Sequence, residues 1–517
     1  MGKRTCIAVL AAVVAAAGFG VVPMTARAAT GDCLASVGGV DLNRATMAEL
    51  QTALKRGVLT SVRLVEAYER RIAAFDRAGP KLNAVRHLNA NARAEAARLD
   101  RERAAGKVRG PLHGIPVLLK DNIGTSDAPT TAGSIALAGN RPKLDATVTA
   151  NLRAAGAVIL GKTNLSEFAN WVSLTMPNGY SSLGGQVVNA YTMGDPSGSS
   201  SGSGVAGSMA FAAGTVGSET QGSILSPSDA NSLVGVKPTV GLVSRTGIIP
   251  LAASFDTAGP MTRSVADAAT MLGAMVGPDP RDPVTSVSAE HLPRGNDYVA
   301  GLRKDSLKGV RLGYDPDYSD PVVDDAIATL TDMGAVMVPI SQASTIDTVA
   351  VAELTFIPNE FKYGLNRYLA TEAGAGLPVK DLTGIVLYNN DHPDEVKYGQ
   401  DLLVASDASA GDGNLMALAI PFVAATRAVL DGWLEQNDVA AIVGPRANFV
   451  AMGAAAGYPS VAVPAGYDGA EPGGITFAGT AWSEPRLLSY AYAFEQATLR
   501  REPPTVVNPD LLTGVCS

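Results

Sequence analysis

Two glycine- and serine-rich stretches stand close together, GSSSGSG at 198–204 and GSETQGSILSP at 217–227. The segment between them is small and apolar, so the whole is not a flexible linker, which would be polar throughout. It reads as two tight loops joined by a buried helix over 203–214. Glycine lets backbone N–H groups converge, because it tolerates dihedrals that other residues resist. Convergent N–H groups beside serine hydroxyls are what acyl transfer requires, a nucleophile and an oxyanion hole.

Two assignments of the nucleophile follow. GSSSG at 198–202 fits G-x-S-x-G, a nucleophile elbow with Ser200 as nucleophile and a histidine downstream. An elbow needs a strong strand just before it, and AYTMGDP at 190–196 is a poor one. His291 and His392 are the only downstream histidines. The other assignment needs no histidine. Lys120 ends the apolar run 115–119, where partial desolvation favours a neutral, basic amine. A neutral lysine can serve a serine as general base. Each residue also has a bland role: Lys120 as an ion-pair partner of Asp121, Ser223 as a helix-cap or turn serine, and Ser199 as a loop serine.

The surrounding elements alternate. Short helices are expected from the Thr46-Met47-Ala48-Glu49 capping box to Gly57, around Leu64, Val65, Tyr68 and Ile72, and over 90–105. A strand at 115–119, a helix at 146–155 and a strand at 157–160 argue for an α/β sheet. A helix is expected at 264–276, and PDPRDP at 278–283 reads as a surface loop. Strand and helix signals resume at 310–314, 322–333 and 336–339. Residues 341–437 read as a helical insertion that covers the sheet and supplies substrate-pocket walls. Strands return at 440–443, 460–463 and 474–478, before a last helix over 483–499.

Composition narrows the function. With 517 residues and 46% hydrophobic residues, the chain can bury a large core. Its charge of −8 and lack of a basic stripe argue against nucleic acid as a partner. Residues 1–28 have a basic start (Lys3, Arg4), an apolar middle and an Ala26-Arg27-Ala28 end, the pattern of a secretory signal peptide. Its removal takes away Lys3, Arg4 and Arg27, leaving a mature charge of −11 and no stable membrane anchor. A secreted or periplasmic location is expected. Cys6 leaves with the signal, so Cys33 and Cys516 remain near the two mature ends, a disulfide candidate in an exported chain. Four histidines and no CxxC or HExxH argue against a metal site.

Over roughly 46–503 the chain resembles the amidase signature family. GPLHGIPVLLKDN (110–122), GKTNLSEFA (161–169), GSSSGSG, GSETQGSILSP, GVKPTVGLVSRTGIIP (235–250) and DTAGPMTRSVADAA (256–269) follow in the family's order. Within it the chain looks most like bacterial peptide amidases, through SSLGGQ (181–186), YGQDL (398–402) and GTAWSEPRLL (479–488). The resemblance implies a mixed α/β sheet core flanked by helices on both faces. Its layout would be one amidase domain over 29–517: a helical N-terminal layer (41–106), the signature core (107–276) and the helical substrate-covering region (341–437). It also implies a Ser–cis-Ser–Lys triad of Ser223, Ser199 and Lys120, with Ser200 in support. An oxyanion hole would come from the N–H groups of Thr220, Gln221, Gly222 and Ser223. No cofactor or metal is implied. The substrate would be a small-molecule or peptide amide, hydrolysed by a monomer or homodimer. The family also contains glutaminase subunits of tRNA-dependent amidotransferases, which the expected signal peptide disfavours. Three positions depart from the common pattern: Ser197 before Gly198, Gln221 before Gly222, and Leu225 where an arginine commonly stands. They bear on substrate range more than on reaction type.

Overall fold

The computed structural model describes residues 31–341 and 343–516; the expected signal peptide lies outside the described residues. Eleven strands form one mixed sheet: β3 (Val85–Leu88), β4 (Pro116–Lys120), β5 (Val158–Thr163), β8 (Gly214–Glu219), β9 (Val234–Lys237), β10 (Thr257–Thr262), β11 (Arg311–Tyr314), β12 (Val336–Pro339), β13 (Ala441–Gly444), β14 (Ser460–Asp468) and β15 (Glu471–Ala478). Across the sheet the order is β12-β11-β13-β15-β14-β9-β10-β8-β4-β5-β3. Two small hairpins stand apart, β1 (Ser36–Val37) with β2 (Val40–Asp41), and β6 (Tyr180–Ser181) with β7 (Gly185–Gln186).

The central strands β4 and β8 are buried along their whole length. Strands covered on both faces read as apolar or small-residue runs without alternation, as PVLLK and GTVGSE do. β4 runs parallel to β5 and to β8, with Val117 opposite Gly214 and Leu119 opposite Val216. That register carries Lys120, the last residue of β4, to the level of Gly217, one residue before Ser218.

The Ser-rich segment differs from its sequence reading in one respect. Helix α5 spans only Ser201–Ser208, and residues from Gly214 onward belong to β8 rather than to the helix. Small residues suit both states, so periodicity does not separate them; pairing of β8 with β4 and β10 decides it. All eight residues of α5 are buried. Gly202 is required there, since a Cβ would be driven into the Ala84 and Asn164 carbonyl oxygens.

The other expected helices form with small shifts of their ends. The Thr46–Glu49 capping box opens α1 (Met47–Lys55). α2 (Ser61–Arg71), α3 (Ala92–Ala104), α4 (Thr147–Ala154), α7 (Val265–Met275), α8 (Pro321–Asp332) and α15 (Glu484–Thr498) pack around the sheet, as does α14 (Arg446–Ala455), which local pattern did not lead one to expect. The 278–283 stretch is less superficial than expected: Asp279 and Asp282 are buried, and Asp282 pairs with Arg245. Residues 343–437 are mostly helical, comprising α9 (Ala343–Leu354), α10 (Ile357–Thr371), α11 (Leu382–Asn390), α12 (Asp401–Asp407) and α13 (Ala419–Gln436). Phe361, Leu365, Leu382 and Leu403 of this cover share a hydrophobic cluster with Phe168, Ile249 and Phe255 of the core. Residues 413–436 are long and apolar enough to cross a membrane by length and composition, yet Leu430, Trp433 and Leu434 pack in a cluster with Ile340, Ile442 and Met452.

Candidate active site

β4, the N-terminal end of α5 and the turn after β8 meet at one place, and each delivers one of the expected residues. Lys120 and Ser199 are fully buried, and Ser223 is 8% exposed. Lys120 Nζ lies 2.8 Å from Ser199 Oγ and 3.1 Å from the Ser218 carbonyl oxygen. It makes no ion pair with Asp121, whose carboxylate instead faces Lys162 at 3.5 Å and accepts from Thr131 Oγ1. Burial drives the Lys120 ammonium down to about 7, against the weaker opposing pull of Asp256 and Glu219. An amine so placed is substantially neutral near pH 7 and can take a proton from a hydroxyl.

The peptide bond between Gly198 and Ser199 is cis. Around it the backbone ties the 198–204 loop to two neighbours: Ser166 N–H donates to the Ser199 carbonyl, and Ser200 N–H to the Ser223 carbonyl at 3.3 Å. Ser200 is fully buried. Its Oγ donates to the Ser218 carbonyl at 3.1 Å and accepts from Ser218 N–H at 3.3 Å. That is a bracing role between α5 and β8. The elbow alternative at Ser200 lacks its requirements. The strand before it in sequence, β7, ends at Gln186, and the histidines are engaged elsewhere. His113 bonds the Leu99 carbonyl, His392 the Tyr388 carbonyl, and His291 stacks on Trp482.

The turn carrying Ser223 is held by acids that the sequence reading did not single out. Gly222 has φ +75°, a left-handed conformation that glycine adopts without strain. Glu219, at the end of β8, accepts from Ile224 N–H at 2.7 Å and Leu225 N–H at 3.0 Å. Those donors lie at the start of α6 (Leu225–Asp229), where a carboxylate satisfies orphan N–H groups. Asp256 accepts from Thr220 Oγ1 at 2.5 Å and from the N–H groups of Leu251 and Ala252. Burial raises both carboxyls, and hydrogen bonds and nearby cations oppose it. Gln221 donates to Glu353 Oε2 of α9 at 2.7 Å. An acid that anchors a turn carries no signature of its own in a single sequence, although Glu219 sits inside GSETQG and its closeness to Ser223 was readable.

A cavity of about 490 Å³ opens beside this group. Asn122, Ser218 and Thr220 line its floor, and Tyr363, Arg367 and Tyr368 of α10 line its wall. It meets the Lys120–Ser199 pair through Ser218, which Lys120 touches; Ser223 lies outside its lining. Among the described residues no cluster of three or more His, Cys, Asp or Glu side chains is arranged to hold a metal ion.

The profile of the family described as Amidase matches residues 63–403. A protein of Arabidopsis thaliana named as a probable amidase is 40% identical over 479 residues, covering 90% of this chain and 92% of its own. The native peptide amidase from Stenotrophomonas maltophilia is 43% identical and superposes with a TM-score of 0.83, over 89% of this chain and 98% of that one. A glutamyl-tRNA(Gln) amidotransferase subunit of Synechococcus sp. (strain CC9605) is 32% identical over 495 residues, 89% of this chain and 97% of its own. With a match this long, and a buried lysine set against serine on a mixed sheet, this chain belongs to the amidase signature family, is similar to bacterial peptide amidases, and is an amidase that hydrolyses amide bonds.

Proposed function

We propose that the chain is an exported serine amidohydrolase that uses Ser223, Ser199 and Lys120 as a proton-relay triad. Its substrates in this reading are C-terminal peptide amides or small acyl amides. The observation that carries it is the 2.8 Å contact between fully buried Lys120 Nζ and Ser199 Oγ. A lysine lowered to about 7 by burial can act there as base.

The reaction runs through an acyl-enzyme. Ser223 Oγ attacks the amide carbonyl carbon while its proton passes to Ser199, and the Ser199 proton passes to neutral Lys120. The carbonyl oxygen becomes an oxyanion facing the N–H groups of Thr220, Gln221, Gly222 and Ser223. One such donor is typically worth about 3 kcal/mol. The C–N bond then breaks as Ser199 protonates the departing ammonia or amine and recovers a proton from Lys120. Water gives a proton to the same relay and attacks the acyl carbon; the bond from that carbon to Ser223 Oγ breaks, Ser223 takes the proton back through Ser199, and the acid leaves. Ser200 braces the loop and exchanges no proton.

Export to the periplasm or medium rests on the composition of residues 1–28, and a disulfide between Cys33 and Cys516 goes with it. The Cα atoms of those cysteines are 5.6 Å apart, a spacing a disulfide can span. One amidase domain over 29–517, working as a monomer or homodimer without cofactor, completes the reading.

The experiment combines ammonia release from an amidated dipeptide with mass mapping after a phosphonylating reagent. The expected result is ammonia release by the purified chain alone and an adduct on Ser223. An adduct on Ser200 would sink the assignment. Glutamine hydrolysis only in the presence of a partner subunit, with no turnover of the peptide amide, would point to the glutaminase-type alternative.

A further inference from the structure

Gln221 precedes the Gly222–Ser223 turn, and its side chain leaves the core for the cover. Nε2 donates to Glu353 Oε2 at 2.7 Å and lies 3.5 Å from the Ala350 carbonyl oxygen. Both acceptors belong to α9. Glu353 is fully buried, and its other oxygen, Oε1, is buried without a hydrogen-bond partner among the described residues. Burying a carboxyl with a single partner is costly, and an aliphatic side chain would fill the same place without that cost. A purely packing role therefore does not account for an acid here. Its one hydrogen-bonded partner does: Glu353 holds Gln221.

Two other acidic side chains anchor the turn, and both lie in the core. Glu219 fixes the residues after Ser223, and Asp256 fixes Thr220. Glu353 is the anchor that comes from the cover. We propose that Glu353 is a positioning residue: through Gln221 it fixes the Gly222–Ser223 backbone against helix α9, so that the seating of the cover sets the attack geometry. This rests on reading Ser223 as the nucleophile. The charged groups near Glu353 are Lys237, Glu219 and Asp256, and burial pushes its carboxyl up to about 8. Near pH 7 it is a neutral acid, so glutamine is a close substitute that keeps an acceptor oxygen for Gln221.

The test uses Glu353→Gln, Glu353→Leu, Gln221→Leu and the Leu/Leu double variant. Active sites are counted by phosphonyl titration of Ser223, so that unfolded protein does not enter the rate. Small misplacements at a reacting centre cost up to about 10²-fold. Glu353→Leu and Gln221→Leu should each lower kcat per titrated site by about 10- to 100-fold, with KM changed far less. Glu353→Gln should stay within about threefold of the parent, as rescue by a retained acceptor requires. The double variant should be no slower than the worse single variant, because both remove the same bond. Full additivity of the two losses, or kcat per site unchanged while only Tm and the number of titratable sites fall, would overturn the proposal. If the parent enzyme takes no phosphonyl group on Ser223, the nucleophile assignment fails first and this proposal falls with it.

Discussion

Removing the amine of Lys120 tests the relay most directly, because the structure gives both its partner and its protonation. The 2.8 Å contact to Ser199 places Nζ where the proposed relay would deliver its proton. Burial brings the lysine from 10.5 to about 7. At pH 7 an unperturbed lysine would be neutral in only about one molecule in several thousand, whereas here about half are neutral. The same difference corresponds to about 5 kcal/mol in favour of the neutral amine. Between about 7 and 10.5 the unfolded chain holds a proton on this lysine that the folded chain has lost, so stability rises with pH across that window. Activity should rise with pH through about 7 and then level, since the neutral form is the proposed base. Lys162 and Lys237 are also lowered by burial, but to about 8, and neither bonds a serine of the site. Lys120→Ala should cost about 10²–10⁴ in kcat and leave a residual rate without the limb near 7. The assay is ammonia release from a peptide amide, measured as kcat across a pH range bracketing 7. Near-normal kcat in Lys120→Ala, or loss of activity in His392→Asn without unfolding, would refute the reasoning.

Two further outcomes are expected. If the chain is exported as proposed, thiol titration of the denatured, unreduced protein should find Cys33 and Cys516 blocked, and Cys33→Ser should lower stability by up to about 6 kcal/mol in the loop-entropy picture; free thiols at both positions would end that idea. Gly202→Ala should destabilise by at least about 1–3 kcal/mol, read as a lower denaturation midpoint, because its Cβ must displace the Ala84 and Asn164 carbonyls rather than a mobile side chain.

Much of the fold could be read from local pattern, and its gaps have a common cause. β4 was legible because PVLLK is apolar on both faces and ends at a charged residue. β8 was not, because GTVGSE has small residues on both faces and lacks the bulky β-branched run that marks a buried strand. Its identity comes from partners distant in sequence, β4 and β10. β10 was hidden in the same way, since its TAGPM stretch contains glycine and proline. The proline is Pro260, opposite Val216 of β8. A sheet assembled by long-range pairing tolerates such residues once its neighbours are fixed, which no window along the chain reports.

The site divides along the same line. Lys120, Ser199 and Ser223 stand in motifs whose residue types already pointed to acyl transfer, and the fold brings their three segments to one place. The groups that hold those segments were far less visible. Glu219 lay within the motif but looked like an ordinary polar residue, because what it does depends on N–H groups that turn back toward it after Ser223. Asp256 acts across the interval from Thr220 to a separate loop. Glu353 lies outside every motif, on a helix whose sequence ASTIDTVAVAEL gives no reason to expect an acid turned inward. The reacting groups must be particular residue types, so they leave a local mark. An anchor needs only an acceptor at the right point in space, and many places in the chain could supply one. Gln221 is the link between the two kinds of information: its departure from the common pattern was visible in the sequence, and its partner across the cover becomes visible only when α9 is in place.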